Sequence, residues 1–328
     1  MSKLILAVPS KGRLEENAAA LFDKAGIKLK RAGARGYTGT VKGIDNIEVQ
    51  YLSASEIAAR LADGSIHFGI TGEDLLREEV PDLNSAVQLV LPLGFGRADV
   101  VVAIPDGWVD VRSMADLAEV AGDFRNQHGK RLRVATKYTQ IAGTFFARHG
   151  LVDYVMVQSF GATEAAPNSG AAEAIVDITS TGATLVANGL RVPNDGVMLR
   201  SEANLAASLR ADWSAKVRAA SKRLLARLAA YGRAQELVQI TLGTNANASV
   251  NPIDIKNTAA RFDALEDNEF TTGAAGSSFY EFQVPSAQQD DFIEAMLELG
   301  FARASVAKLD FVYEKRILLY ERLMGAVR

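Results

Sequence analysis

Ala174-Ile-Val-Asp-Ile-Thr-Ser-Thr-Gly-Ala-Thr-Leu185 decides how the chain is read. Ala174–Ile178 has the small apolar residues of a strand and delivers Asp177 to its C-terminal end, the edge at which open α/β sheets bind ligands. Ser180-Thr-Gly-Ala-Thr184 then makes a tight turn whose small side chains leave backbone N–H groups bare, and a helix is expected to start at once. Bare N–H groups at a helix start attract an anion, and the hydroxyls of Ser180, Thr181 and Thr184 add donors. Asp177 is itself negative and cannot serve a phosphate, but it can accept hydrogen bonds from sugar hydroxyls. Acid and cradle together point to a ribose 5-phosphate.

Outward from this stretch the same strand-helix alternation recurs. Leu4–Val8, Ile47–Leu52, His67–Thr71 and Val87–Leu91 are short apolar runs. Between them Leu14, Ala18, Leu21, Phe22 and Ala25 fall on one helical face. Strand and helix in alternation predict a parallel α/β sheet. A second series runs through Asp99–Ile104, Arg133–Thr136, Tyr154–Val157 and Ala174–Ile178, and the glycines of Gly94-Phe-Gly-Arg97 mark the break between the two. Val197-Met-Leu199 reads as a further strand returning to the first sheet. A long helix follows with Leu209, Trp213, Val217, Leu224, Leu228 and Tyr231 as its stripe. From about Gln235 the character changes. Gly-, Asn- and Thr-rich stretches at Thr241–Ser249 and Thr271–Ser278 separate short patterned pieces, and Phe279–Val284, Gln288–Leu299 and Ala304–Val312 read as strand, helix, strand. No internal repeat is visible.

Composition narrows the function. Of 328 residues, 48% are hydrophobic and 23% charged, so the chain folds rather than remaining disordered. A formal net charge of −3 gives no global pull on polyanions. The Arg and Lys on the long helix lack interleaved aromatics and read as a solvated face, not a nucleic-acid site. The absence of cysteine excludes disulfides and thiolate metal sites and fits a reducing compartment. Met1–Pro9 has too short an apolar run for a signal peptide, and no stretch has the length of a membrane span, so a cytoplasmic protein is expected. The spacing of His67, His128 and His149 suggests no metal site. Neither a P-loop nor a dinucleotide fingerprint occurs, which disfavours a kinase or NTPase.

Glu164, Gly170, Ala172, Ile175, Asp177, Ile178, Thr181, Gly182, Thr184 and Leu185 match, spacing by spacing, the signature of ATP phosphoribosyltransferases. The resemblance extends to Pro9-Ser-Lys-Gly-Arg-Leu14, Gly69-Ile-Thr-Gly-Glu-Asp-Leu75, Gly94-Phe-Gly-Arg97 and Ala135-Thr-Lys-Tyr138, and covers roughly residues 1–230. It implies two doubly wound α/β domains of periplasmic-binding-protein type, residues 1–96 with 186–234 and residues 97–185. A small α+β domain, residues 235–328, regulatory or oligomeric in role, follows. It also implies ATP and phosphoribosyl pyrophosphate (PRPP) as substrates, with Mg2+ accompanying the pyrophosphate. By the same resemblance Glu164 and Asp177 hold the PRPP ribose, and Ser180, Thr181, Gly182, Ala183 and Thr184 its 5-phosphate. Lys11, Arg13, Arg31, Asp74 and Arg97 are candidates for ATP or the pyrophosphate, with Arg35 a comparable guess. No residue is assigned to the metal.

Longer members of this family bind histidine as feedback inhibitor in a C-terminal domain; shorter members use a separate regulatory subunit. The chain has the length of the first kind, and a homo-oligomer is expected, with Phe292, Ile293, Met296 and Leu297 needing a partner surface. Adenine N1 carries a usable lone pair near neutral pH, so the expected reaction needs positioning and charge stabilisation rather than a strong base. Two competitors remain: a non-catalytic binding module, which has no need of a phosphate cradle, and a base-salvage phosphoribosyltransferase. The latter usually has two adjacent acids where this chain has Asp177 and Ile178.

Overall fold

The computed structural model describes residues 3–33, 36–159, 161–245, 249–272 and 277–327. Among these the strands form three sheets, numbered here in chain order. In the first, β1 (Leu4–Pro9) lies between two parallel neighbours, β4 (Ile47–Leu52) and β5 (Phe68–Gly72). β2 (Lys28–Arg31), β3 (Thr38–Lys42), β6 (Val87–Pro92) and β13 (Ala203–Ser208) complete the order β2-β3-β4-β1-β5-β13-β6. Leu4, Leu6, Ala7 and Val8 are all but inaccessible, as expected of a central parallel strand. The helices of this part of the chain are α1 (Gly12–Lys24), α2 (Ala54–Asp63), α3 (Glu73–Glu79) and the short α4 (Leu83–Ala86), of which α2, α3 and α4 pack together with Ala7 of β1. The Ser53 hydroxyl caps α2 by accepting the Glu56 N–H at 3.2 Å, an interaction that stabilises by about 1 kcal/mol.

The second sheet has the order β11-β7-β10-β8-β9, with β12 also pairing β7. Its strands are β7 (Ala98–Pro105), β8 (Leu132–Thr136), β9 (Tyr154–Gln158), β10 (Ala174–Thr179), β11 (Leu190–Arg191) and β12 (Val197–Ser201). Its helices are α5 (Met114–His128), α6 (Thr139–Arg148) and α7 (Ala183–Ala187). Ser113 and Asp116 form a reciprocal capping box on α5. The core unites Val100, Val102 and Ile104 of β7 with Leu117 of α5 and Phe146 of α6.

One strand differs from expectation. Val197–Leu199 does not return to the first sheet: it pairs antiparallel with β7, and the return is made by β13. Three apolar residues fit either sheet equally well; the choice is made by pairing partners nearly a hundred positions away. Residues 190–201 therefore belong with the second sheet, although 186–234 was assigned to the first domain.

The chain passes between these sheets twice, at residues 93–97 and at Glu202. The passes are bonded to each other. Leu93 N–H donates to the Ala203 carbonyl and Ala203 N–H to that of Phe95, both at 2.9 Å, while Gly94 N–H donates to Glu202 Oε2 at 3.0 Å. Gly94 and Gly96 have φ of 73° and 67°, which only glycine adopts without strain.

The third sheet is antiparallel, of order β15-β16-β14-β17: β14 (Leu237–Gly243), β15 (Leu265–Thr272), β16 (Ser277–Pro285) and β17 (Arg303–Lys308). With α9 (Pro252–Arg261) and α10 (Gln289–Glu298) it makes a β-α-β-β-α-β unit of split-βαβ type. The strand-helix-strand expected over 279–312 is its second half. Its first half, β14, α9 and β15, lies in a part of the chain for which only Asn-, Gly- and Thr-rich separators were read. Phe292 and Met296 are fully buried in this unit's own core, so of the four residues expected to need a partner surface Leu297 is the one left exposed.

α8 (Ala215–Glu236) begins after Leu209 and Trp213, and α11 (Leu318–Ala326) closes the chain. The chain separates into two compact units, Met1–Ala20 with Leu29–Ala220 and Arg322–Arg328, and Leu21–Lys28 with Ser221–Glu321. The first holds both α/β sheets. The second holds the antiparallel sheet, and within it Arg227 Nη1 donates to the Gly26 carbonyl at 2.8 Å. The expected architecture of two α/β domains and a small α+β domain is the one found. No helix among the described residues is long and apolar enough to cross a membrane.

Candidate functional site

β10 carries Asp177 at the C-terminal end of the second sheet, between antiparallel β7 (Asp177 opposite Val101) and parallel β8 (Val176 opposite Thr136). The carboxylate is half-buried, and its Oδ1 accepts the Ile178 N–H at 2.8 Å. That bond leaves Oδ2 and the second lone pair of Oδ1 for a ligand.

The turn after Asp177 is held by its own hydroxyls. Gly182 N–H donates to Thr179 Oγ1 at 2.9 Å, Ala183 N–H to Thr181 Oγ1 at 3.4 Å, and Ser180 Oγ donates to the Arg97 carbonyl at 3.0 Å. Gly182 sits at φ 75°, and no atom lies within 4 Å of where a Cβ would stand. The backbone is therefore open on that side. The N–H groups of Ser180, Thr181 and Thr184 have no partner among the described residues. α7 is only five residues long and ends at Asn188 before Gly189, so an anion placed here would meet individual N–H donors, not a long helix dipole. The Ser180 hydroxyl, expected as a phosphate donor, is spent on Arg97; Thr181 Oγ1 accepts from Ala183 and keeps its own proton to give.

Glu164 lies in a short 3-10 turn, Thr163–Ala165, that packs against β10. The turn is entered through Ala162 at φ 48° and pinned by a 2.9 Å hydrogen bond between the Ser159 and Thr163 hydroxyls. Glu164 is half-buried in that turn, beside the strand that presents Asp177. Among the described residues no group of three or more His, Asp or Glu side chains converges as a metal cage.

The candidate cations fall into three settings. Lys11 and Arg13 are exposed where β1 turns into α1 through Gly12 at φ 76°. Arg31 is instead held in place: it pairs with Glu15 at 3.3 Å, donates to the Ser10 carbonyl at 3.4 Å, and lies 3.8 Å over the Tyr51 ring. It braces the Ser10–Arg13 loop from below. Burial raises the Tyr51 pKa, Arg31 opposes that, and Glu15 adds to it. Arg97 is exposed, with its carbonyl fixed by Ser180. Arg35 lies outside the described residues. No hydrogen bond or ion pair among the described residues joins Lys11 or Arg13 to the second sheet.

Asp74 is buried, and both of its carboxylate oxygens are hydrogen-bonded. Ser201 Oγ donates to its Oδ1 at 2.9 Å and the Tyr138 hydroxyl to its Oδ2 at 3.0 Å, while its own N–H donates to Ser201 Oγ at 3.0 Å. Tyr138 follows β8, the neighbour of the Asp177 strand. Burial first, then the charge of Asp74 and its hydrogen bond, then the charges of Asp177 and Glu78, push the Tyr138 pKa far up, so the phenol keeps its proton. Sequence reasoning quoted Ala135-Thr-Lys-Tyr138 without giving Tyr138 a role; its place after a strand end was the available signal. Thus Asp177, Glu164, the 180–184 turn, Arg97 and the Asp74–Tyr138 pair gather around the second sheet's C-terminal edge, whereas Lys11 and Arg13 lie on the first sheet's opening loop and Arg31, at the end of β2, is bonded to that loop.

A family model described as ATP phosphoribosyltransferase matches residues 53–230. Among curated proteins, an ATP phosphoribosyltransferase from Rhodopseudomonas palustris (strain HaA2) is 50% identical over 325 residues, 99% of this chain and 98% of that protein. One from Bradyrhizobium sp. (strain ORS 278) is 48% identical over 326 residues, with the same coverage. Among solved structures, the ATP phosphoribosyl transferase (HisG:HisZ) complex from Thermotoga maritima matches with a TM-score of 0.53 at 23% identity, covering 69% of this chain and 95% of that one. This last likeness is one of fold.

Proposed function

The chain belongs to the ATP phosphoribosyltransferase family, and from that premise we propose how its residues divide the work. As a pentosyltransferase of this family it condenses ATP and PRPP into N1-(5-phosphoribosyl)-ATP and pyrophosphate, the first step of histidine biosynthesis. The observation that supports the assignment of roles is Asp177 at a strand end followed by an open turn with unpartnered N–H groups.

On this reading the 5-phosphate of PRPP sits over Gly182 and takes N–H donors of the turn with the Thr181 and Thr184 hydroxyls. Asp177 and Glu164 accept the ribose hydroxyls. Adenine N1 attacks the anomeric carbon with its own lone pair while the bond to the pyrophosphate oxygen breaks, so no side chain needs to remove a proton before attack. Positive charge spreads over the ribose ring as pyrophosphate leaves. Two carboxylates beside the ring stabilise that charge, and cations stabilise the leaving oxygens. Lys11, Arg13 and Arg97 are exposed and free to reach ATP or the pyrophosphate. Arg31 serves by bracing the loop that carries Lys11 and Arg13, and Asp74 borders the site through the Tyr138 hydroxyl it holds.

The family uses a metal ion, and we take it to be Mg2+. The donor set fits an ion bound chiefly through substrate: with no cage among the described residues, the half-buried carboxylates of Asp177 and Glu164 complement a cation that keeps phosphate oxygens and water as ligands. When bound it neutralises charge on the departing pyrophosphate. We assign the reaction to the cytoplasm, in keeping with a biosynthetic role.

For the second compact unit we propose binding of histidine as feedback inhibitor and a contribution to a homo-oligomer. The β-α-β-β-α-β unit supports this, because it has a hydrophobic core of its own. A separate regulatory subunit, as in that HisG:HisZ complex, is the alternative. Purified protein with ATP, PRPP and magnesium is expected to form phosphoribosyl-ATP and pyrophosphate, read by absorbance and mass; no product would overturn the reading. Inhibition by millimolar histidine without added protein would favour the internal site, and full activity would refute it.

A further inference from the structure

α3 carries two carboxylates one turn apart, and both reach the second sheet. Asp74 takes the Tyr138 hydroxyl. Glu78 caps the helix that begins next to it: its Oε1 accepts Thr139 Oγ1 at 3.1 Å and Gln140 N–H at 3.0 Å, and its Oε2 accepts Gln140 N–H and Ile141 N–H, both at 3.1 Å. α6 has no side-chain cap of its own, since Tyr138 occupies its N-cap position without a capping bond. A helix start leaves four N–H groups unsatisfied, and here a residue some sixty positions away on the other sheet's helix takes two of them.

The bonded segment, Tyr138–Ile141, directly follows the end of β8, whose Thr136 lies beside Val176, next to Asp177. Moving the two sheets apart must break the bonds of both carboxylates at once. Charge-assisted hydrogen bonds to a helix N-terminus are the strong kind, and the α6 dipole favours the Glu78 charge.

We propose that Glu78 is a positioning residue which, with Asp74, latches the two α/β sheets together and holds the β8–α6 loop against the substrate side of β10. It acts through α6 and touches no reacting atom. The assignment of β10 as the substrate side rests on the functional reading above; the latch itself does not, and it can be measured without turnover.

The chain has no cysteine, so spin labels can be placed at will. Ser55→Cys on α2 and Glu119→Cys on α5 are exposed sites, one on each sheet's helices. In that labelled background, electron-electron distance measurements are expected to give one narrow distribution, broadened or lengthened by Glu78→Ala and less so by Glu78→Gln. Thr139→Val, which removes one of the four bonds without a charge, should give a smaller change of the same sense. KM for ATP and PRPP should rise by about tenfold or more in Glu78→Ala while kcat falls much less, as expected for loss of one charged hydrogen-bond set. An unchanged distance distribution in Glu78→Ala would overturn the latch, whether or not the melting temperature falls. A changed distribution with unchanged KM for both substrates would overturn the positioning role.

Discussion

The imidazole of His67 accepts the Ile5 N–H on Nδ1 at 3.0 Å, and its Nε2 lies 2.9 Å from the Asp212 carbonyl. These two bonds fix one neutral tautomer, protonated on Nε2. Trp213 packs edge-on against the ring, with 5.3 Å between centroids. Burial pushes the His67 pKa below its ordinary 6.5, with the Asp212 carbonyl opposing the shift. A proton on Nδ1 would turn the acceptor for Ile5 into a donor facing a donor. The unfolded chain takes up its proton at the ordinary pKa, so His67 leaves stability intact above about pH 6.5 and withdraws it as pH falls toward the folded value. Urea unfolding from pH 8 to pH 5 should show stability declining below about 6.5. His67→Phe should flatten that decline, and an unaltered slope would assign it to other groups.

Asp177→Asn keeps shape and removes the negative charge that faces the ribose. Folding should be unaffected, because the carboxylate is half-buried and its one intramolecular bond, from the Ile178 N–H, can be made to the amide oxygen. kcat should fall on the order of 10²-fold, the usual scale for deleting one electrostatic stabiliser. Steady-state kinetics with wild-type turnover and PRPP affinity would make the acid structural.

Gly182→Val tests the turn. There is space for the side chain, so the expected damage comes from φ 75°, where a β-branched residue is strained by about 1–3 kcal/mol. Relaxing that strain rotates the N–H groups away from a phosphate. Calorimetry should show PRPP affinity dropping far more than ATP affinity, and equal losses would indicate general misfolding.

Tyr138→Phe removes the donor to Asp74 Oδ2 and leaves a buried carboxylate oxygen without it. A loss of about 1–3 kcal/mol in unfolding free energy is expected. Asp74→Asn should change the cost of Tyr138→Phe, so that the double-mutant cycle shows coupling; strictly additive effects would mean that the 3.0 Å bond contributes nothing.

How far the sequence could be read varies with the range of the forces involved. The strand, turn and helix start of 174–185 were legible because a small-residue turn after an apolar run is determined locally, and Gly94–Arg97 was legible for the same reason. The brevity of α7 was not, since Asn188 and Gly189 stop it without a proline. Val197–Leu199 was assigned to the wrong sheet because three apolar residues do not name their neighbour. The first half of the C-terminal unit was not legible, because its helix is short and opens on an asparagine cap, Asn251, that reads like the Asn-rich stretch before it. At the candidate site, Asp177 and the 180–184 turn lie together as their spacing required. The bonds of Asp74 and Glu78 to Tyr138–Ile141 span sixty positions and leave no periodic trace.

The paired passes at Leu93–Phe95 and Glu202–Ala203 set the mechanics of the molecule. Three hydrogen bonds tie one pass to the other, so any displacement of one sheet against the other must flex both passes together. A protease cutting one pass would leave the other, and its cross-bonds, to keep the halves associated.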